Sequence, residues 1–144
     1  MANSQANRMR ILAADDHPTN RLVIETLMSP LASVITVVKD GAEAVAASES
    51  AAYDVVLMDL HMPVMDGYQA TRAIRQSGGH NASIPIVAVS ADDTESSMKA
   101  CREAGISSFC VKPVTVEKLI AAIDRAYEAP MHVQPIQNDV EFLD

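Results

Sequence analysis

The sequence Asp54-Val-Val-Leu-Met-Asp59, followed by Leu-His-Met-Pro-Val-Met-Asp-Gly67, decides the fold of this chain. Its first part is a short, continuously apolar run that ends abruptly at a carboxylate. A run of this kind, apolar throughout rather than alternating, is typical of a strand buried on both faces of a parallel sheet. The Asp66-Gly67 pair that closes the stretch is interpreted as turn chemistry before a helix.

Four more runs of the same kind lie on either side of this stretch. Each is predicted to be a fully buried strand: Arg10–Ala14, Ser33–Val38, Ile84–Val89 and Ser108–Val111. The segments between them carry apolar residues at helical spacing, and Asp40 and Thr115 stand where helix N-caps are expected. Gly105 stands where a helix is expected to end, and Pro130 ends the last helix. Strands that alternate with helices predict an α/β fold, with helices on both faces of a parallel sheet.

The bulk properties limit the classes of function. A chain of 144 residues is one ordinary domain, and we assign residues 1–8 to an N-terminal extension, 9–129 to the domain and 130–144 to a tail or the start of a linker. A net charge of −8 disfavours binding to nucleic acid or to an anionic membrane surface. No signal peptide or membrane-spanning run is visible, and Cys101 and Cys110 are expected to be reduced, so a cytoplasmic location is predicted.

Groups that can handle a phosphoryl group follow four of the five predicted strands. They are Asp15, Asp16, Asp59, Ser90 and Lys112. Because ligands of an open parallel sheet bind beyond the carboxyl ends of its strands, we expect these groups to share one cleft. Clustered carboxylates repel one another, and a magnesium ion relieves that repulsion through oxygen ligands. Asp59 can then attack phosphorus as an ionised nucleophile, while Lys112 and the Ser90 hydroxyl each meet a phosphoryl oxygen.

These residues, in this order and spacing, resemble the receiver domains of response regulators and hybrid histidine kinases over residues 9–128. The matching pieces are Asp15-Asp16, Met58-Asp59-Leu-His-Met-Pro63, Met65-Asp66-Gly67, Ser90-Ala91 and Lys112-Pro113. The resemblance implies a doubly wound, flavodoxin-like sheet of strand order 2-1-3-4-5. It also implies that Asp59 is phosphorylated from a phosphohistidine, with Mg²⁺ held by Asp16, Asp59 and the backbone carbonyl of His61, and with Asp15 acting mostly through water.

The resemblance also implies a switch and its partners. Ser90 would move toward the phosphoryl group, Phe109 would rotate into the vacated space, and Lys112-Pro113 would be a cis peptide. Phe109 replaces the common Tyr, so its coupling must come from packing. His61 and Asp92 would tune the lifetime of the aspartyl phosphate. The partners would be a histidine kinase or a histidine phosphotransfer protein, and the domain would be regulatory rather than an enzyme.

Two other interpretations remain open at this point. Asp15, His17, Asp59 and His61 could be ligands of a dinuclear metal-dependent phosphohydrolase, although only His80 and His132 remain as further nitrogen ligands. A nucleotide- or flavin-binding module of the same topology is disfavoured because no glycine-rich loop follows the first strand. The run from Met58 to Arg72 looks most like receivers of hybrid kinases. The chain is therefore either a free-standing regulator or part of a longer protein.

Overall fold

The computed structural model describes residues 8–79 and 81–128. His80, Pro130, His132 and most of the predicted extension and tail lie outside these residues. The strands and helices alternate along the chain as β1 (Met9–Ala14), α1 (Pro18–Met28), a short 3-10 helix (Ser29–Leu31), β2 (Ala32–Val38), α2 (Gly41–Ser50), β3 (Val55–Asp59), α3 (Gly67–Gln76), β4 (Ile86–Ser90), α4 (Glu95–Ala104), β5 (Ser108–Val111) and α5 (Val116–Glu128).

The five strands form one parallel sheet in the order β2-β1-β3-β4-β5. Successive side chains of a strand point to opposite faces, and the sheet therefore has a core on each side. Val55 and Leu57 belong to a core formed with α1 and α5. Val56 and Met58 belong to another, formed with α2, α3 and α4. The predicted doubly wound α/β fold is confirmed.

The prediction that every strand is fully buried is wrong for the two strands at the edges of the sheet. Every residue of β3 and of β4 is buried, but β2 is mostly intermediate or exposed, and only Cys110 of β5 is buried. Val34 in β2 is 50% exposed. The two strands are less buried because each has a neighbouring strand on one side only. Their β-branched composition does not distinguish an edge strand from a central one.

Helix ends are defined by the residues that the sequence suggests. The Asp40 carboxylate accepts a hydrogen bond from the N–H of Glu43 at 2.8 Å, which caps α2. Gly105 has a φ of +101° and ends α4. Asp66 does more than form a turn, since it makes a reciprocal capping box with Gln69 at the start of α3. The caps at Asp40 and Asp66 end the loops that follow β2 and β3 at the carboxyl edge of the sheet, whereas Gly105 lies in the connection from α4 to β5 at the opposite edge.

Candidate functional site

The carboxyl ends of the three central strands bring polar side chains together in buried positions. Asp15 follows β1, and Asp59 and Ser90 are the last residues of β3 and β4; they are 1%, 5% and 2% exposed. The register places Asp59 beside Val89, immediately before Ser90. Lys112 follows β5 and donates its backbone N–H to the carbonyl of Ser90 at 3.0 Å. The expectation that these strand ends share one cleft therefore agrees with the geometry.

Lys112 carries the positive charge of this cleft. Its Nζ lies 3.2 Å from Oδ2 of Asp15 and 3.7 Å from Oδ1 of Asp59. Its side chain is 25% exposed, so the ammonium has one side toward solvent. The Lys112-Pro113 peptide is cis. One ammonium thus bridges carboxylates from two strands and remains reachable from outside.

Asp15 is held by residues that the sequence interpretation missed. Its Oδ1 accepts hydrogen bonds from the N–H of His17 at 3.0 Å and from Nδ2 of Asn20 at 3.3 Å. Arg21 donates to its backbone carbonyl at 2.8 Å. Asn20 and Arg21 lie in the first turn of α1, a few residues past the Asp-Asp pair. Their nearness to Asp15 in the sequence was the only indication of these contacts. These contacts fix the carboxylate that orients Lys112.

Burial is the main cause of a raised pKa at Asp59. The charge of Asp15 raises the pKa further, while Lys112 and the backbone N–H of His61, 3.4 Å from Oδ1, oppose the increase. The charge of Asp16 adds a smaller upward contribution. One lysine therefore does not fully compensate this group of carboxylates, which is the electrostatic condition under which a hard divalent cation binds.

The nearby histidines do not complete a nitrogen-rich metal site around Asp59. In the described part of the chain, the cluster with ligand atoms within 4.8 Å of one another consists of Asp15, Asp16 and His17. His17 is exposed, and its Nδ1 lies 3.1 Å from Oδ1 of Asp16. His61 is also exposed, and its Nε2 lies 3.8 Å from Oδ2 of Asp92. The oxygen donors of Asp15, Asp16 and Asp59 thus suit magnesium better than zinc.

Phe109 lies on β5, apart from the phosphate-handling groups. It is partly buried and packs against the core formed with α2, α3 and α4. It also lines a cavity of about 450 Å³ together with Met98, Cys101 and Arg125. Phe109 therefore borders an open cavity on the side of α4 and α5.

The chain belongs to the response regulator receiver domain family, whose model matches residues 11–124. Among curated proteins it is similar to the sensor protein GacS of Pseudomonas syringae pv. syringae, with 35% identity over 116 residues, covering 79% of this chain and 13% of that protein. It is 38% identical over 111 residues to the sensor histidine kinase RcsC of Salmonella typhi, covering 77% of this chain and 11% of that protein. The chain therefore spans only a small part of these relatives.

A solved structure supports the same classification. The receiver domain of sensor histidine kinase PA1611 from Pseudomonas aeruginosa PAO1, which has a magnesium ion coordinated in its active-site cleft, is 34% identical. It superposes with a TM-score of 0.76, covering 85% of this chain and 99% of that one. The predicted family and fold are confirmed, and neither the family match nor these relatives support the phosphohydrolase alternative.

Across residues 8–79 and 81–128, none of the helices combines the length and the apolar character needed to cross a bilayer. The cytoplasmic location stays a prediction from the sequence.

Proposed function

We propose that this domain accepts a phosphoryl group on Asp59 from a phosphohistidine of a partner protein. The observation that carries the proposal is the buried Asp59 carboxylate at the carboxyl edge of the sheet, with Nζ of Lys112 only 3.7 Å away. In the transfer, the P–N bond breaks and its electron pair returns to the imidazole. A new bond forms between phosphorus and an oxygen of Asp59. Such a transfer depends mainly on alignment and charge neutralisation.

Lys112 and Ser90 have separate parts in this proposal. Lys112 neutralises charge on one phosphoryl oxygen, and Asp15, at 3.2 Å from Nζ, keeps the ammonium aimed at the cleft. Ser90 is buried beside Asp59, and its Oγ accepts a hydrogen bond from the N–H of Asp92 at 3.1 Å. The proton of the Ser90 hydroxyl is then available to a second phosphoryl oxygen.

A magnesium ion fits the donor set. We propose that Asp16, Asp59 and the backbone carbonyl of His61 hold it, and that Asp15 acts on it mostly through water. When bound, the ion supplies positive charge to the carboxylates and to the oxygens of the transferring group. The raised pKa of Asp59 supports this assignment, because an added cation favours its ionised form. The magnesium in the cleft of the PA1611 receiver domain supports it as well.

The partner is proposed to dock over α1. Leu22 and Val23 are neighbours on this helix, are 63% and 39% exposed, and give it an apolar surface. Val23 also lines a cavity of about 430 Å³ that includes Asp15, Lys112 and Pro113. An apolar surface continuous with the cleft would let a histidine kinase or a histidine phosphotransfer protein bring its phosphohistidine to Asp59.

The proposed role is regulatory, with no reaction of its own beyond gaining and losing the phosphoryl group. We propose that residues 9–129 form the complete receiver domain. The small share of GacS and RcsC that is matched supports a place within a longer hybrid kinase. A free-standing regulator is the other form that the same domain can take.

Phosphorylation can be tested with acetyl phosphate and with a phosphorylated histidine kinase. We expect stoichiometric labelling that is stable in acid and labile in base, as an acyl phosphate is. The labelling should require Mg²⁺ and be abolished by EDTA. Asp59→Asn should also abolish it, because this change removes the nucleophilic oxygen. Intact-mass spectrometry and peptide mapping would measure it. The matched control is Asp54→Asn at the other end of β3, which should label like the parent. Full labelling of Asp59→Asn at another residue would contradict the proposal.

Phe109 is proposed to transmit the change to the surface formed by α4, β5 and α5. When Ser90 turns toward the phosphoryl group, the ring moves into the space that it leaves. Burying more of the ring contributes about 25 cal/mol per Å². That increment shifts a population between two states without locking one of them.

The test of this switch is Phe109→Ala. The variant should be phosphorylated nearly as fast as the parent, because the ring contributes packing and touches none of the reacting atoms. It should lose most of the difference in partner affinity that beryllofluoride, a phosphoryl mimic, produces in the parent. Calorimetric titration of a cognate partner with and without the mimic would measure this. An unchanged response would show that Phe109 is only part of the core.

A further inference from the structure

A chain of polar side chains connects α3 and α4 to the mouth of the Asp59 cleft. The Tyr68 hydroxyl lies 3.1 Å from Oγ of Ser97. Ser97 donates to Oδ2 of Asp92 at 2.7 Å, and the backbone N–H of Asp92 donates to Oγ of Ser90 at 3.1 Å. Residues from two helices, one loop and the end of β4 thus form one connected path that ends at the phosphate-handling hydroxyl.

The hydrogen-bond chemistry fixes the direction of the first two bonds. An ionised carboxylate only accepts, so the single proton of the Ser97 hydroxyl is used on Asp92. Ser97 must then accept, and Tyr68 must donate. The pKa of Asp92 is lowered, first by the Ser97 hydroxyl and then by hydrogen bonds from Thr94, which is consistent with an ionised acceptor.

Asp92 stands at one lip of the cleft and His61 at the other. Asp92 follows Ser90 by two residues, and His61 follows Asp59 by two. Their side chains approach to 3.8 Å between Nε2 of His61 and Oδ2 of Asp92. The gap between these two side chains forms a passage beside Asp59, whose carboxylate the backbone N–H of His61 contacts, and the position of Asp92 sets the width of that passage.

Ser97 is arranged unlike an ordinary helix serine. Serine in a helix commonly bonds to a carbonyl of the preceding turn, as Ser48 and Ser50 do in α2. The Ser97 side chain instead leaves its own helix to reach Asp92 and Tyr68, and the residue is only 7% exposed. A buried hydroxyl whose bonds go to the side chain of the preceding loop and to that of a neighbouring helix restrains those side chains more than a surface contact would.

We propose that Ser97 and Tyr68 are positioning residues that hold Asp92 across the cleft opposite His61 and thereby set the lifetime of the phosphorylated state. The proposal rests on Asp59 being the phosphoacceptor. In the decay, a water oxygen bonds to phosphorus and the bond from phosphorus to the Asp59 oxygen breaks. The electron pair returns to the carboxylate, the water gives up a proton to the surrounding solvent, and inorganic phosphate leaves. Ser97 and Tyr68 touch none of these atoms and act through the width of the passage.

The experiment measures decay of the label in the full 144-residue chain. The protein is phosphorylated with acetyl phosphate and Mg²⁺, the donor is removed, and the fraction labelled is followed by intact mass. Ser97→Ala should shorten the half-life by about threefold to tenfold, the range that loss of one hydrogen bond can produce. Tyr68→Phe, which removes only the hydroxyl, should shorten it less. Ser97→Thr, which keeps the hydroxyl, should restore it toward the parent value.

Two controls separate positioning from general destabilisation. Ser96→Ala removes a neighbouring but exposed hydroxyl of α4 and should leave the half-life unchanged. In an Asp92→Ala background, Ser97→Ala should have no further effect, because its target is gone. An equal shortening in both backgrounds would overturn the proposal.

The remaining outcomes are also decisive. If the parent is labelled and both Ser97→Ala and Tyr68→Phe decay like it, the inference is wrong while the phosphoacceptor function stands. If Mg²⁺ and acetyl phosphate do not label the parent at all, the proposed function fails and this inference fails with it. Should Ser97→Ala not fold, Tyr68→Phe decides alone, since the ring stays in place.

Discussion

Replacing Arg75 by methionine is expected to lower the free energy of unfolding by about 3–4 kcal/mol. Arg75 lies on α3, and its guanidinium donates twice to the carbonyl of Gly105, at 2.9 and 2.7 Å. It also donates to the carbonyls of Ala82 and Ile84, at 3.0 and 2.6 Å, and to Oγ of Ser107 at 3.3 Å. One side chain therefore ties the segment before β4 to the loop between α4 and β5.

The loss of stability is expected to be large because methionine would leave the oxygen acceptors of Arg75 without a donor. Burial lowers the pKa of Arg75 to about 10, because its charge is partly removed from water. The hydrogen-bond acceptors are neutral oxygens, and methionine cannot donate to any of them. A fully buried acceptor left without a donor costs about 1–3 kcal/mol, and a half-buried one such as the carbonyl of Gly105 or Ala82 costs less. Relief from burying a charge, together with water that reaches the half-buried acceptors, offsets most of this and leaves a net loss of about 3–4 kcal/mol.

Urea and thermal unfolding would measure the effect, with a melting temperature lower by roughly 10 °C. Arg72→Met is the matched control, because Arg72 lies on the same helix but is exposed, and it should stay within about 0.5 kcal/mol of the parent. Arg75→Lys should lose nearly as much as Arg75→Met, since an ammonium cannot reproduce the planar fork of donors. Parent-like stability of Arg75→Met would show that water replaces the guanidinium without cost.

The groups at the strand ends could be predicted because parallel topology alone brings them together. Asp15, Asp59, Ser90 and Lys112 each follow an apolar run or end one, and the carboxyl ends of parallel strands meet at one edge. No knowledge of side-chain conformation was needed for that step. The helix caps at Asp40 and Gly105 were accessible for a similar reason, since capping depends on residues within one turn.

Contacts between distant loops could not be predicted in this way. Tyr68 and Ser97 are 29 residues apart and meet because α3 and α4 lie side by side. Asn81 is nearly buried, and its amide donates to the carbonyls of Ser48 and Ala51, at 2.6 and 2.7 Å. No local sequence pattern indicates either set of contacts, because both depend on how the loops and helices pack after the sheet has formed. The prediction that β2 is fully buried was wrong for a related reason. The burial of a strand depends on its place in the sheet, which the composition of the strand does not show.

Gly67 was interpreted from the sequence as turn chemistry alone, yet the structure places it against the phosphoacceptor strand. Its N–H donates to the carbonyl of Leu60 at 3.0 Å. A Cβ added at this position would overlap the backbone oxygen of Asp59 and would lie 2.9 Å from Cα of Leu60. These are backbone atoms, which cannot turn aside as a flexible side chain could.

We therefore expect Gly67→Ala to lower the free energy of unfolding by about 1–3 kcal/mol, the usual cost of overpacking. Because the overlap involves the carbonyl of Asp59 itself, relieving it must move the end of β3, and the Asp59 carboxylate moves with it. A displacement near 1 Å in a reacting group can reduce a rate by about a hundredfold. The rate of phosphorylation by acetyl phosphate should thus fall by at least about tenfold, beyond any loss that unfolding alone explains.

The comparison that isolates this effect is Gly79→Ala. A Cβ on Gly79 would have only Oγ of Ser77 nearby, at 3.9 Å, so this variant should phosphorylate like the parent and be equally or slightly more stable. Initial rates should be measured well below the melting temperature of Gly67→Ala, with the folded fraction determined by circular dichroism in the same buffer. Phosphorylation of fully folded Gly67→Ala at the parent rate would show that the end of β3 absorbs the methyl group without moving the Asp59 carboxylate. A slow rate in the folded variant would instead establish that the close contact between the first residue of α3 and the carbonyl of Asp59 is what sets the position of the nucleophile.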